Sequence, residues 1–341
     1  MNYQRILIVK LSAIGDVIHA LPVARALKEA FPEVRISWVV EQPAAELVRN
    51  HPDIDEVILF EKSRCRSLGG LLQYLPALAR ELKGRRFDLA LDLQGLLKSG
   101  LIALLSGAPR RLVYCNPREL SGWISQKVCG PHQQGHIVER YLDVVRALGG
   151  PVTTVDFGIG FSEAEVKAAG EVLTAANWPG GPYVVLIPGA NWVNKRWPLQ
   201  HFAALAERLF KQGICCILTG GASDQELARQ IREGTKAPLW DVTGKTSLKQ
   251  LAWIIKNARV AVGGDTGPLH LAVAVGTPTV ALLGPTDPTR NGPYGSGHRV
   301  LVTSRDCVGC WRRQCAKRLD CLAAIPVEEV YQEVVSLYKL S

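Results

Sequence analysis

At 341 residues, 47% of them hydrophobic and 21% charged, the chain has the length of two domains and apolar material for two cores. No long polar or low-complexity tract marks disorder, and the net charge of +9 favours anionic partners: phosphates, nucleic acid or an acidic membrane surface. With no run of five or more Lys/Arg and no recognisable nucleic-acid module, nucleic acid is not expected as a partner.

The first half alternates strand-like and helix-like segments. Arg5 to Lys10 reads as a β-branched strand; its two charges and the brevity of Ile6 to Val9 exclude a signal peptide. Val17 to Ala30 has apolar residues at helical spacing, with Pro32 beyond its end. Val34 to Val40 and Val57 to Phe60 read as strands, and Leu68 to Leu82 as a helix. Phe87 to Leu91 is a further strand, followed by Gln94-Gly95 and a helix through Leu105. Gly, Pro and Thr then gather at 149–160, where a linker is expected, with domains of 1–155 and 156–341.

The second half repeats the scheme. Helices are predicted over Ser162 to Ala175, where Ser162 and Glu165 have capping-box spacing, and over Leu199 to Lys211, Gln225 to Glu233, Leu248 to Asn257 and Val327 to Leu340. Strands are predicted over Tyr183 to Ile187, Ile214 to Leu218, Arg259 to Val262 and Thr279 to Leu283. Thr266 to Thr286 is an uncharged stretch whose length could suggest a membrane span, but its Gly and Pro residues break it into a short helix and a short strand, so no transmembrane helix is read. Strands alternating with helices imply an α/β fold with two parallel sheets and a cleft between the halves, and ligands of such sheets bind beyond the carboxyl ends of the strands.

Four loops at those ends could carry chemistry. Lys10 to Asp16 leaves the first strand; Gly15 permits a tight turn, and Asp16 suits either a general base or a helix cap. A helix N-terminus keeps such a carboxylate ionised and makes it a weaker base, which suits proton transfer late in attack on an oxocarbenium-like centre. Pro188 to Pro198 holds Asn191, a hydrogen-bond donor, and Lys195, which reads equally as a phosphate ligand or a solvated lysine. Gly263 to His270 opens a helix whose first amides, at Thr266 and Gly267, make an anion site, with His270 on the same helical face as Thr266. Glu226 follows Gly220-Gly221; it reads as a ribose ligand or, more simply, as a first-turn acid. Neither a Walker A motif nor a G-x-G-x-x-G fingerprint occurs.

Together these loops resemble those of the heptosyltransferases of lipopolysaccharide core synthesis, the GT-B-fold glycosyltransferase family nine. The resemblance rests on Lys10 to Asp16 with His19, Leu21 and Pro22; Asp92 to Leu96 with Lys98-Ser99; Asn194 to Pro198; Asp265 to His270; and Gly284 to Pro288, in the family's order along nearly the whole chain. The first two segments look most like type I members.

The resemblance implies two Rossmann-like domains facing a central cleft and an inverting transfer of L-glycero-D-manno-heptose from ADP-heptose to the Kdo-lipid A inner core. It assigns Asp16 as base and Ala190, Asn191, Lys195, Glu226, Asp265, Thr266, Gly267 and His270 to the donor, Ala190 through its backbone. Ser12, Gly15, Lys62, Arg64, Arg66, Gln94 and Lys98 fall to the acceptor; the three bases at 62–66 would meet Kdo carboxylates or lipid A phosphates, or form a solvated loop. Alternatives are another family-nine transferase, of type II or III or with a different nucleotide-hexose donor, and a non-catalytic nucleotide-sugar-binding protein.

Further expectations concern partners and metals. The partners implied are the ADP-sugar, the lipid-linked Kdo acceptor and an anionic membrane surface, with the protein a monomer at the cytoplasmic face of the inner membrane. Leaving-group charge can be met by Lys195 and the Thr266 and Gly267 amides, and no suitably placed Asp-x-Asp pair occurs, so no cofactor or catalytic cation is expected. Cys307, Cys310, Cys315 and Cys321 could form a structural zinc or iron–sulfur site, or remain thiols. Cys65, Cys115, Cys129, Cys215 and Cys216 are expected as free thiols in a reducing cytosol.

Overall fold

Strands β1 (Arg5–Val9), β2 (Arg35–Val40), β3 (Glu56–Leu59), β4 (Leu89–Asp92), β5 (Arg110–Tyr114) and β6 (Gln126–Val128) form one sheet in the order β3-β2-β1-β4-β5-β6. A second sheet holds β7 (Tyr183–Ile187), β8 (Cys215–Leu218), β9 (Leu239–Asp241), β10 (Val260–Gly264), β11 (Thr279–Leu283) and β12 (Arg299–Val302), in the order β12-β11-β10-β7-β8-β9. Every neighbouring pair in both sheets is parallel. Both sheets therefore share the strand order of dinucleotide-binding domains, reversing between β1 and β4 in one and between β7 and β10 in the other. This computed structural model describes residues 3–315, 317 and 320–340, and divides into two units, Met1–Gly160 and Phe161–Ser341.

Helices cover both faces of each sheet's central strands, which is why those strands are apolar throughout rather than alternating. In β4, β7, β10 and β11 every residue is buried. The first core joins Leu7, Val9, Val39, Ile58 and Ala90 of the strands to Tyr74, Leu78 and Leu82 of the helix Leu68–Gly84. The second joins Val184, Leu186, Val262 and Leu282 to Phe202, Leu205 and Leu209 of the helix Leu199–Phe210 and to Val330 and Val334 of the C-terminal helix Val327–Leu340. Trp197 is buried in that second core with its indole nitrogen donating to the Ile325 carbonyl at 3.0 Å. Trp197-Pro198 thus anchors the loop after β7 to the C-terminal segment.

Several expectations are corrected. The helix expected over 17–30 is two helices, Ile14–Ala20 and Pro22–Ala30. Pro22 has no N–H to continue the first helix and is suited to start the second. The sequence reading also has no counterpart for β5, β6, β9, β12 or the helix Ile137–Arg146. Three of these strands lie at sheet edges, where β6, β9 and β12 are only partly buried and lack a continuous apolar run.

Cys115 and Cys129 are not free: they form a disulfide. The β5–β6 register pairs Tyr114 with Val128, so the next residue on each strand is a cysteine, with Cα atoms 4.5 Å apart. Their separation of 14 residues conceals an adjacency created only by the sheet. Cys65, Cys215 and Cys216 are free, as expected.

The uncharged stretch at 266–286 resolves into the helix Gly267–Ala274 and β11. Among the described residues no helix is long and apolar enough to cross a membrane.

Candidate active site at two sheet reversals

In each unit the loops that follow the two strands flanking the reversal lie side by side, which is where ligands of open α/β sheets bind. In the first unit these are the loops after β1 and β4. Asp92, at the end of β4, is buried, and its Oδ1 accepts from the amides of Gln94 (3.0 Å) and Gly95 (2.9 Å). Burial pushes its carboxyl up from the ordinary range, against the pull of the Gly95 amide, Ser99 and the Gln94 amide. Gly95 has φ +70°, and a Cβ there would come within 3.0 Å of Pro117 and the Tyr114 ring, so glycine is required.

That turn aims Gln94 at the loop after β1. Its Oε1 accepts from the amides of Leu11 (3.0 Å) and Ser12 (3.1 Å). Lys10 is also buried; its Nζ donates to the Leu93 carbonyl (2.9 Å) and the Tyr141 hydroxyl (2.8 Å), 4.7 Å from the Tyr141 ring centre. Burial lowers its pKa, partly offset by the nearby Asp16, Tyr114 and Asp92. The two loops are thus stitched together by Gln94 from one side and Lys10 from the other.

Asp16 stands in the first turn of the helix Ile14–Ala20, half-buried, and its Oδ2 accepts from the Ala13 amide at 3.3 Å. The capping role takes up Oδ2 with one long bond to the backbone. Ser12 and Gly15 flank it, half-buried. Lys98 pairs with Glu41 at 2.7 Å, linking the loops after β4 and β2. Lys62, Arg64 and Arg66 are exposed in and beside the 3-10 turn Lys62–Cys65 after β3, with Arg64 3.6 Å from Glu61 and 5.1 Å from the Tyr74 ring centre. All seven acceptor candidates follow β1, β3 or β4 and so share the carboxyl edge of one parallel sheet.

The second unit fastens its reversal with charge. Lys195, after β7, donates from Nζ to Asp265 Oδ2 at 2.6 Å and lies 4.3 Å from the Trp192 ring centre. Asp265, after β10, is buried, and its Oδ1 is 2.8 Å from His270 Nε2, placing the proton on that ring nitrogen. Burial alone would raise the Asp265 pKa; the His270 hydrogen bond and the charges of His270 and Lys195 outweigh it and hold the carboxyl well below the usual range. Gly264 makes the approach feasible, since a Cβ there would meet the Lys195 carbonyl oxygen at 2.1 Å.

Thr266 caps the helix Gly267–Ala274 without a side-chain bond to it, and its buried Oγ1 has no partner among the described residues. The same holds for the hydroxyls of Thr219, after β8, Thr243, after β9, and Thr286, after β11. Buried polar groups are normally satisfied. Unpaired hydroxyls along one carboxyl edge, beside a helix N-terminus and a lysine, are the groups a polyhydroxylated anion would satisfy. Sequence reasoning named Thr266 and used Thr286 only within the Gly284 to Pro288 match, and it missed Thr219 and Thr243, since nothing in their spacing separates them from ordinary strand-end residues.

The other donor candidates are less closely joined. Ala190 is buried and its carbonyl accepts from Arg196 Nε at 2.9 Å, leaving Asn191 exposed at the next position. Gly189 lies against Asp224, whose carboxyl a Cβ there would meet at 2.4 Å. Glu226 is on the exposed side of the helix Gln225–Glu233, and its two oxygens take bonds from Arg229 and Gln230 of that helix. Those bonds pull its pKa down to about 2. The structure does not bring it to the Lys195–Asp265–His270 group.

The Cys-rich segment lies next to the Lys195 loop. Asn194 Nδ2 donates to the Arg312 carbonyl at 2.7 Å, and the Arg313 guanidinium is 5.7 Å from the Trp192 ring centre. Cys307, Cys310, Cys315 and Cys321 are thiols, and burial with the neighbouring Cys315, Cys307 and Cys310 pushes Cys321 up to about 11. Among the described residues no three His, Cys, Asp or Glu side chains are grouped to hold a metal ion, so the zinc or iron–sulfur expectation finds no support.

Comparison with known proteins bears on this arrangement. Residues 75–319 match the family described as glycosyltransferase family 9 (heptosyltransferase). Lipopolysaccharide heptosyltransferase 1 of Pseudomonas aeruginosa is 33% identical over 321 residues, 92% of this chain and 87% of that protein. Lipopolysaccharide heptosyltransferase 2 of Escherichia coli is 26% identical over 315 residues, 87% and 88% of the two. Among solved structures, E. coli heptosyltransferase WaaC with ADP matches with a TM-score of 0.78 at 27% identity, covering 98% of this chain and 100% of that one. The same protein with ADP-2-deoxy-2-fluoro heptose gives 0.75 at 26% identity, covering 98% and 99%.

Proposed function

This chain belongs to glycosyltransferase family 9, the heptosyltransferases, and from that premise we propose that it transfers L-glycero-D-manno-heptose from ADP-heptose to the Kdo-lipid A inner core of lipopolysaccharide. The observation that carries the donor side is the group Lys195–Asp265–His270 at the start of the helix Gly267–Ala274, beside the unpaired Thr266 hydroxyl. Lys195 and the Gly267 amide supply positive potential to a diphosphate. Asp265 and His270 fix the lysine's position, so little reorganisation is needed as charge develops on the leaving group. Structures of a relative with ADP and with an ADP-heptose analogue support this choice of nucleotide. The greater identity to a type 1 than to a type 2 enzyme, 33% against 26%, supports the first inner-core transfer.

In the reaction, an acceptor hydroxyl attacks the anomeric carbon from the face opposite the diphosphate. The anomeric C–O bond breaks, ADP leaves with the electron pair, and Asp16 takes the hydroxyl proton, so the configuration inverts. Among the described residues Asp16 has one hydrogen bond, from the Ala13 amide at 3.3 Å, to compete for its lone pairs. The acceptor's carboxylates and phosphates would be met by Lys62, Arg64, Arg66 and Lys98 at the carboxyl edge of the first sheet, with Ser12, Gly15 and Gln94 shaping the loop around Asp16. Ala190, Asn191 and Glu226 complete the donor side, Glu226 by exchanging its bonds to Arg229 for ribose hydroxyls. Because the acceptor is lipid-linked, the protein works at the cytoplasmic face of the inner membrane as a peripheral protein.

The test offers ADP-heptose and several UDP-hexoses with Kdo-lipid A and follows transfer by mass spectrometry. Transfer from ADP-heptose alone is expected. Transfer from a UDP-hexose with none from ADP-heptose would reassign the donor; no transfer from any, with ADP still bound, would favour a binding protein.

A further inference from the structure

Parallel strands send all their following loops to one edge of the sheet. In the first unit that edge also carries most of the large apolar side chains left in water. Among its described residues these are Leu68, Leu72, Leu97, Leu104, Leu120 and Trp123. Leu68 and Leu72 follow β3, Leu97 follows β4, and Leu120 and Trp123 follow β5; Leu104 alone sits at the far end of its helix, Leu97–Leu105. Trp123 is 85% exposed, Leu68 74% and Leu72 66%.

The helix Leu68–Gly84 makes the anomaly plain. It buries Tyr74, Leu78 and Leu82 against the core as one stripe at four-residue spacing. At about 100° per residue, Leu68 and Leu72 fall roughly 80° and 120° from the middle of that stripe, outside the face that packs on the core. An amphipathic helix should carry polar groups there. The preceding turn supplies cations instead of more leucines: Lys62, Arg64 and Arg66, with Glu61 the one acid. Arg118 and Lys127, exposed beside Leu120 and Trp123, outnumber the one acid there, Glu119, whose carboxyl accepts from the Leu97 amide.

We propose that this edge of the first unit rests on an anionic lipid bilayer, with Leu68, Leu72 and Trp123 entering the headgroup region and Lys62, Arg64 and Arg66 facing the headgroup phosphates. The proposal deepens the reading above and rests on it only for the acceptor's lipid anchor. A tryptophan beside leucines and basic side chains is the composition that settles at a bilayer interface, where the indole is half in water and cations meet anionic lipid. A protein–protein contact gathers its apolar side chains into one core patch and keeps charge at the rim. Here the apolar side chains come from separate loops interleaved with cations.

The test floats the full chain with vesicles of phosphatidylglycerol and phosphatidylethanolamine that contain no acceptor. The wild type is expected to co-float, to stay behind with phosphatidylcholine vesicles, and to be released by about 0.5 M salt. The triple variant Leu68→Ser, Leu72→Ser, Trp123→Ala, checked by circular dichroism for an intact fold, should partition about tenfold less or weaker still. On an acyl-free, water-soluble Kdo acceptor the same variant should turn over like the wild type, while slowing on vesicle-embedded acceptor. A wild type that ignores anionic vesicles, or a variant that floats as well as the wild type, overturns the proposal and turns attention to a protein partner. If no sugar donor supports transfer, the catalytic reading fails while the flotation result still decides this one.

Discussion

The two units have the same strand order and put two loops together at the same reversal, yet they fasten those loops by different means. At the β1/β4 reversal the clamp uses no ion pair: the Gln94 amide oxygen takes two backbone amides, Lys10 donates to the Leu93 carbonyl and the Tyr141 hydroxyl, and among the described residues Asp16 is left with one long bond. At the β7/β10 reversal the clamp is ionic: Asp265 holds Lys195 on one oxygen and His270 on the other. The contrast follows from what each loop is asked to do. A carboxylate that must accept a proton cannot have its lone pairs tied to cations, because that depresses its basicity. A lysine that must meet a diphosphate gains from a buried counter-charge that fixes it, provided the anion can share it.

The largest effect expected from breaking this contrast is on turnover. Asp16→Ala should lower kcat by about 10²- to 10⁴-fold, the range for loss of a general base, with the unfolding midpoint little changed. Steady-state assays with ADP-heptose check it. Next is Asp265→Asn, which leaves Lys195 and His270 without their buried counter-charge and should cost about 3 kcal/mol in urea unfolding, as loss of one partner from a buried pair does. This variant also carries a pH signature. The folded-state pKa of Asp265 is depressed below its ordinary 3.8, so its contribution is fully present above that value and is lost as pH falls through and below it. The stability gap between wild type and Asp265→Asn should therefore be flat near neutrality and shrink below about pH 4; a gap that widened on acidification would contradict the assignment.

Smaller effects are expected from the Gln94 side of the first clamp. Gln94→Leu strands two backbone amides and should cost about 1–3 kcal/mol of stability, with a fall in kcat and little change in ADP affinity. Equal loss of ADP affinity would show that Gln94 does not act on the Asp16 loop alone. The smallest effect is for Glu226→Gln: its exposed pair with Arg229 should leave the unfolding midpoint unchanged, while ADP affinity, read by calorimetry, falls a few-fold.

Much of this comparison is legible in the sequence because the central strands and their loops advertise themselves. β1 after Arg5, β4 up to Asp92, β7, and β10 are apolar runs, each reaching a glycine, serine or acidic residue at its end or within three residues of it, where a turn or a ligand must be served. What was not legible depends on registration. Cys115 and Cys129 become neighbours only when β5 pairs with β6. Gln94 reads as a ligand until the Asp92 turn is seen to aim it at Leu11 and Ser12. Thr219 and Thr243 gain meaning only as unpaired hydroxyls on the edge they share with Thr266 and Thr286. The helix Ile137–Arg146 is a different case, since Ile137, Tyr141, Val144 and Val145 carry helical spacing that sequence alone could have yielded.

The division of labour between the two reversals is tested most directly by titrating ADP-heptose into Asp16→Ala and Asp265→Asn side by side, with calorimetric Kd as the readout. The account predicts that Asp16→Ala binds the donor within about twofold of wild type, while Asp265→Asn binds at least about tenfold more weakly, a difference near 1.4 kcal/mol. Donor binding lost in Asp16→Ala and retained in Asp265→Asn would contradict it.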